Sequence, residues 1–267
     1  MGEMLAVLLA RDMKDGEKAI VGTNSDIQVA ACNLARLRHA PQLWWVSGPG
    51  GMTNPTEGLI RPAADAENIA VSSSQFDLPM MIDFIDWKVH FFDFAILGAL
   101  QTDRFGNINT VVVGDHARPR LRGPGTVGIS ALTGLSRRFY ILMTRHDRSA
   151  FVEKVDFVCG VGHLNGGDSR TQAGLPPGGA CLVATPLGLF DFHPESRAMR
   201  LKSLHPGVSL EEVRDNTGFD LLLPEVPATT EIPDLSELHD LRTGVDGSNV
   251  LGRKFPWRAG GTAGAGA

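Results

Sequence analysis

The sequence predicts an open α/β fold, a mostly parallel sheet with flanking helices, and three observations lead there. The runs at 43–46, 94–97 and 181–184 are apolar throughout, as strands covered on both faces are. The first two stop abruptly at loops dense in glycine or amide side chains. At 19–37 a short β run, a polar loop and a helical apolar pattern follow one another, which is the order of a βα unit.

Taken in order, residues 4–9 have the spacing of a short helix, and Asp15 and Gly16 break it ahead of the β run at 19–21. Gly22, Thr23, Asn24, Ser25 and Asp26 then place capping residues before Ile27, Ala30, Ala31, Leu34 and Leu37, which share one helical face. Amides at such a helix start suit an anion or a carbonyl oxygen. Thr23 and Asn24 are therefore candidate ligand contacts, with ordinary capping an equal alternative. After the strand at 43–46, the loop Ser47, Gly48, Pro49, Gly50, Gly51 lets backbone amides approach a ligand, and a plain connection is again the competing reading. Ser47 lacks both a nucleophile-elbow motif and a nearby histidine, which argues against a serine hydrolase.

Residues 65–76 read as a solvated polar connection. A helix is expected at 78–87, with Met80, Met81, Phe84, Ile85 and Trp87 as core. The buried strand at 94–97 hands the chain to a polar loop, and a second β run follows at 108–113. Ligands in open α/β sheets sit beyond the carboxyl ends of strands, so Gln101, Asp103, Asn107 and Asn109 are candidates for lining a site. The alternative is a turn that satisfies itself, with Gly106 supplying a positive φ.

Arg118, Arg120 and Arg122 precede Gly123, Pro124, Gly125 and Thr126. A cationic patch against a glycine loop suits phosphate or carboxylate, and a rim of solvated arginines paired with nearby acids is the alternative. His116 alone is no evidence for a general base. Beyond it the pattern gives a small-residue helix at 127–135, strands at 139–143, 155–158 and 181–184, and a long loop at 160–179. A hairpin follows from 187–192 and 199–204. A capping box, Ser209 with Glu212, opens a helix that ends at Gly218, and a surface helix covers 234–242. Cys159 and Cys181 sit at strand positions and read as small buried hydrophobes.

The chain of 267 residues has 43% apolar and 21% charged residues and a formal net charge of -5. Such a balance gives no general attraction to nucleic acid or an anionic membrane, and no apolar run is long enough to span a bilayer. Three cysteines without a CxxC pair indicate neither a disulfide framework nor a zinc site, and the absence of a signal-cleavage pattern points to the cytoplasm. No dinucleotide fingerprint or P-loop occurs. One domain over 1–257 is expected, with a disordered low-complexity tail at 258–267.

The stretch from Gly98 to Asn109, Gly-Ala-x-Gln-x-Asp-x-x-Gly-Asn-x-Asn, resembles the signature of the β subunits of family I CoA transferases, most closely the glutaconate CoA-transferase type. Further blocks fall in the same order, among them Gly114, Asp115, His116; Arg122, Gly123, Pro124, Gly125; and Asn216, Thr217, Gly218, Phe219, Asp220. The resemblance covers nearly the whole chain. It implies a CoA-transferase-like (NagB/RpiA-like) fold, a homologous α subunit in a heteromeric complex of α2β2 type, and an acyl-CoA substrate, with CoA entering as part of the substrate and no bound cofactor. It also implies a glutamate nucleophile at the end of the second strand, where this sequence has Ser47 or Gly48; the nearest glutamate, Glu57, lies too far along to occupy the strand end unless its loop folds back. The family's Gly-x-Gly-Gly loop near the acyl-CoA ends here in Thr126, so Arg120, Arg122, Gly123, Gly125 and Thr126 join Gly50 and Gly51 as expected contacts. Transfer of CoA is one implied reaction. The alternatives are hydrolysis or decarboxylation of an acyl-CoA, with catalysis carried by α, and a non-catalytic binding subunit.

Overall fold

Helix α1 (Gly2–Asp12) buries almost every residue of its first ten and packs on α2 (Asp26–Arg38), so both are apolar around most of their surface. The computed structural model describes residues 1–23, 25–48, 51–55, 65–86 and 88–256, and the chain divides into two units, Met1–Ile96 with Glu231–Arg258, and Leu97–Thr230. Trp87 and the tail from 257 onward lie outside the described residues.

In the first unit β1 (Lys18–Val21) runs parallel to β2 (Trp44–Ser47), in register from Lys18 with Trp44 to Val21 with Ser47. On its other side β1 pairs in parallel with the strand at Phe94–Gly98, here β5. Between β2 and β5 the chain adds β3 (Met52–Thr53), a 3₁₀ turn (Ala66–Ile69), β4 (Ser74–Gln75) and α3 (Leu78–Asp86), with β3 and β4 antiparallel. The segment at 65–76 is thus more ordered than a plain connection. Its turn is capped by Asp65, which accepts from Glu67 N at 2.9 Å.

Helix α3 buries Met81, while Met80 is 49% exposed. Successive helical residues diverge by about 100°, and the narrow covered face of α3 reaches Met81 but not Met80. The expectation of a core at Met80, Phe84 and Ile85 is therefore corrected: Met80 is exposed, and Phe84 and Ile85 are only half-buried.

The second unit begins with two small hairpins, β6 (Gln101–Thr102) with β7 (Ile108–Asn109), and β8 (Val112–Gly114) with β9 (Pro119–Arg122). The β run expected at 108–113 is broken because the Asn109 side chain accepts from Val111 N at 2.9 Å and Val112 N at 3.3 Å, which turns the chain between β7 and β8. After α4 (Ile129–Leu135) comes a mixed sheet: β10 (Arg138–Leu142) is parallel to β11 (Ala180–Ala184), and β12 (Gly188–Phe192) is antiparallel to β11 and to β13 (Met199–Leu204).

A short helix, α5 (Ser169–Gln172), lies inside the long loop before β11, and α6 (Leu210–Asn216) and β14 (Ala228–Thr229) follow β13. No strand forms at 155–158. Single β-bridges form on either side at Phe151 and Gly160, and Phe157 and Val158 between them are exposed. Cys159 is buried but lies in irregular chain, and Cys181 is partly exposed on β11.

Helix α6 has half of its expected box, Ser209 Oγ accepting from Glu212 N at 3.0 Å, and it ends at Thr217. Gly218 is not its left-handed cap. A Cβ there would lie 2.3 Å from Phe151 O, so close packing is what requires the glycine.

From Glu231 the chain returns to the first unit with α7 (Leu235–Asp240), opened by a full capping box between Asp234 and Glu237, a π turn (Leu241–Val245) and α8 (Val250–Lys254). Ion pairs among the described residues fasten this return to α1 and α2: Arg11 to Glu237 at 2.6 Å and to Glu231 at 3.9 Å, Arg242 to Glu3 at 2.6 Å, Lys254 to Asp26 at 2.7 Å, and Arg38 to Asp240. Among the described residues, no helix is long and apolar enough to cross a membrane, and no cluster of His, Cys, Asp and Glu is placed to hold a metal.

Candidate functional site

In the first unit the parallel register brings the carboxyl ends of β1 and β2 level, since Val21 pairs with Ser47 and Gly48 N donates to Val21 O at 3.0 Å. Ser47 is fully buried. A Cβ at Gly48 would meet Val21 O at 3.4 Å and Ile20 Cδ1 at 3.5 Å, which is ordinary contact, so a side chain could be carried there.

After β1, Ser25 takes the N-cap position of α2 and its hydroxyl donates to Gly22 O at 2.7 Å, while Thr23 is exposed. Gly51 has φ +59 and receives Phe76 so closely that a Cβ would sit 2.3 Å from Phe76 O, which accounts for this glycine without a ligand. Asn24, Gly50 and Glu57 lie outside the described residues.

In the second unit the loop from 101 to 109 holds two buried polar clusters. Asp103 Oδ1 accepts from the amides of Phe105 and Asn107, each at 3.0 Å, and Asn107 Nδ2 reaches Asp103 Oδ2 at 2.8 Å and Leu164 O at 2.8 Å. Asn107 Oδ1 in turn takes Gly162 N at 3.0 Å. Gln101 donates to Asp156 Oδ2 at 3.0 Å and accepts from Asn109 Nδ2 at 2.7 Å. Burial raises the Asp103 carboxyl above its ordinary value, against the lowering pull of Asn107 and the two amides.

Four side chains singled out as candidate ligands are thus occupied with one another. These bonds also tie the loop to the chain at 156–164, as the reading of a self-satisfied turn expects.

The arginines differ. Arg120 and Arg122 lie on β9 and Arg118 just before it, all exposed, and none makes an ion pair or a side-chain hydrogen bond among the described residues. The solvated rim paired with acids is therefore not what forms. Gly123 is required by packing, because a Cβ would lie 2.2 Å from Thr110 O. Gly125, at φ +99, has nothing within 4 Å of its missing side chain, and Thr126 is exposed. Thr110 Oγ1 donates to Gly125 O at 2.6 Å and pins this loop beside the hairpin.

Two features lay beyond sequence reasoning. Phe157, 37% exposed, stacks with His116 at 5.8 Å between ring centroids and 30° between planes, beside the arginine hairpin. Only a fold that brings together residues about forty apart could show this. Arg170, buried at 5% exposure, spends its guanidinium on backbone carbonyls rather than on a ligand.

Compared with known proteins, residues 2–216 match the family model described as Coenzyme A transferase. The chain is 36% identical over 243 residues to a subunit of the 3-oxoadipate CoA-transferase of Pseudomonas knackmussii, covering 90% of this chain and 91% of that protein. It is 26% identical over 254 residues to the cholesterol ring-cleaving hydrolase IpdB subunit of Mycobacterium tuberculosis, covering 95% and 97%. Its structure matches the crystal structure of glutaconate coenzyme A-transferase from Acidaminococcus fermentans with a TM-score of 0.83 at 26% identity, over 94% of this chain and 96% of that one.

Proposed function

We propose, from the premise that this chain belongs to the coenzyme A transferase family, that it is the β subunit of a heteromeric enzyme acting on the CoA thioester of a carboxylic acid, with the catalytic carboxylate supplied by a homologous α subunit. The observation that carries this is the end of β2. Buried Ser47 and side-chain-free Gly48 stand where the family resemblance places a glutamate, although the backbone at Gly48 has room for one.

A carboxylate attacks a thioester to give an anhydride and then a new thioester, and both are readily reversed; a serine hydroxyl gives an ordinary ester and needs a base to attack at all. Ser47 has no histidine in its local sequence and no exposed surface. In this reading the β chain binds and orients the acyl-CoA, CoA enters as part of the substrate, and the bond-breaking carboxylate belongs to α.

Hydrolysis or another acyl-CoA cleavage fits a β chain without a nucleophile. The second reading, CoA transfer from a carboxylate on α, is favoured by the 36% identity to a 3-oxoadipate CoA-transferase.

Co-expression with a homologous α chain encoded beside it tests the subunit assignment. The two are expected to co-purify in equal amounts, as α2β2, and to release or transfer CoA from an acyl-CoA. A β chain that stays monomeric and shows no affinity for that partner contradicts the proposal.

A further inference from the structure

We propose that helix α3 is a docking surface for the α subunit, with Leu78, Ile82 and Ile85 as its apolar stripe and Asp83 and Asp86 as an acidic border. The matching face of α is then apolar and edged by lysine or arginine. The inference rests on the subunit reading above and deepens it by assigning the part of this chain that takes the partner.

Six of the nine residues of α3 are large and apolar, yet only Met81 is buried. Leu78 is 64% exposed and Ile82 44%. Scattered exposed apolar residues are ordinary, but these are contiguous, and a contiguous apolar patch marks a contact surface. At about 100° per residue, Leu78, Ile82 and Ile85 recur at i, i+4 and i+7 and fall within about 60° of one another. Met81 flanks the stripe on the covered side, and Asp86 and then Asp83 on the open side. Both acids are exposed, and neither forms an ion pair among the described residues.

The covered side is already taken. Phe84 stacks on Phe91 at 4.7 Å between centroids and 4° between planes, and it meets Phe76 edge-on at 5.4 Å. Phe91 in turn meets Trp44, at the start of β2, edge-on at 6.0 Å. Asp77 Oδ1 accepts from Met80 N at 3.0 Å and fixes the first turn. These contacts hold the helix in one rotation about its axis, so this chain by itself cannot turn the stripe inward.

What lies across from the stripe follows from the sheet. Ser47 pairs with Met52 and Met52 with Gln75, so two inter-strand steps, about 10 Å, separate the end of β2 from the residue three before Leu78. Gly51 N donates to Ser47 O at 2.9 Å and Phe76 N to Gly51 O at 2.9 Å, which fastens the approach to α3 to that same end. About 10 Å is also the width of one helix, so an element of α that carries its carboxylate to Gly48 lies beside α3.

The test is dilution of the purified αβ complex followed by analytical ultracentrifugation. Leu78→Asp and Ile82→Asp each place a charge in the stripe and are expected to raise the dissociation constant about 30-fold, the size of an interface hot spot. Ile82→Gln, which removes the apolar contact without adding a charge, is expected to raise it about 10-fold. Asp83→Lys together with Asp86→Lys is expected to slow association about 10-fold at low salt. Val226→Asp, at an exposed apolar residue of the second unit, is expected to leave the constant unchanged. Recovery of each variant complex at high concentration with an unchanged circular-dichroism spectrum shows that the chain folds.

Stripe variants that bind α as wild type does overturn this surface and leave the subunit reading standing. Unchanged αβ affinity with loss of a β–β species overturns it in favour of a second copy of this chain. Unchanged αβ affinity with a raised KM for acyl-CoA overturns it in favour of the acyl group. A wild-type chain without affinity for α overturns both this surface and the subunit reading.

Discussion

Acidification from about pH 7.5 to about pH 5 is expected to remove about 6 kcal/mol of folding stability, near 2 kcal/mol from each of three buried histidines. His146 is the extreme case. Its ring nitrogens meet Thr185 Oγ1 at 3.0 Å and Thr217 Oγ1 at 3.1 Å, its face lies 3.8 Å from the Phe151 ring centroid, and burial pushes it down to about 3. His163, bonded to Ala180 O at 2.8 Å, and His205, bonded to Thr185 O at 2.9 Å, are each lowered to about 4, again chiefly by burial.

The sign follows from the unfolded chain, whose imidazoles take up protons near their ordinary value while the folded ones do not. This contribution is complete above about pH 6.5 and is lost as pH falls toward the folded values. Glu3 and Glu237, lowered mainly by Arg242 and Arg11, weaken the fold only below the ordinary carboxylate range, and Asp103, raised by burial, works in the opposite sense. The window from pH 6.5 to 5 therefore belongs to the histidines. Urea unfolding at a series of pH values measures it. Stability unchanged between pH 7.5 and 5 would mean that the three rings are not buried in neutral form.

The second large effect is expected from Arg170→Met, which should destabilise the protein by about 3–5 kcal/mol and lower the melting temperature by about 10 °C. Arg170 donates to five carbonyls: Pro176 O at 2.9 Å, Val161 O at 3.0 Å, Gly162 O at 3.0 Å, Thr133 O at 2.9 Å and Gly134 O at 2.8 Å. It ties α4, the loop at 161–162 and the turn after α5 together, and burial alone lowers its affinity for its proton.

Methionine fills similar volume but leaves five carbonyls without that donor, and a buried polar group left unsatisfied costs about 1–3 kcal/mol. Lysine carries three donors on a point charge and cannot span the same fork, so Arg170→Lys is expected to recover less than half of the loss. Thermal melts of the three proteins decide this. A melting temperature for Arg170→Met within about 2 °C of wild type would show that the carbonyls find other donors.

The sequence displayed the βα order, the all-apolar strands and the family blocks because these are local or ordered along the chain. The strand ends at Ser47 and Gly98, the hairpin β12–β13 and the cap at Ser209 follow from adjacent residues and their spacing. What escaped it is tertiary. Asn109 interrupts a good β run with its own side chain, and Phe157 and Val158, apolar enough for a buried strand, have no neighbouring strand to pair with and end on the surface.

The site was legible in part for the same reason. The arginine hairpin and its glycine loop could be read directly, whereas the roles of Gln101, Asp103, Asn107 and Asn109 depend on partners at 156–164 that spacing does not disclose. The helix expected from Asp234 does start there, with Asp234 as its N-cap, and the capping box between Asp234 and Glu237 is the local feature that fixes it.

Mass spectrometry of the αβ complex during turnover tests most directly the proposal that this chain carries no covalent nucleophile for the acyl-CoA. The complex is incubated with acyl-CoA esters, treated with borohydride, which reduces a glutamyl thioester to an alcohol, and digested. The expected result is free CoA or acyl product accumulating while every glutamate of this chain is recovered unmodified. A reduced glutamate in this chain, Glu57 included, would place the transferase nucleophile on the β subunit and overturn the assignment of the catalytic carboxylate to α.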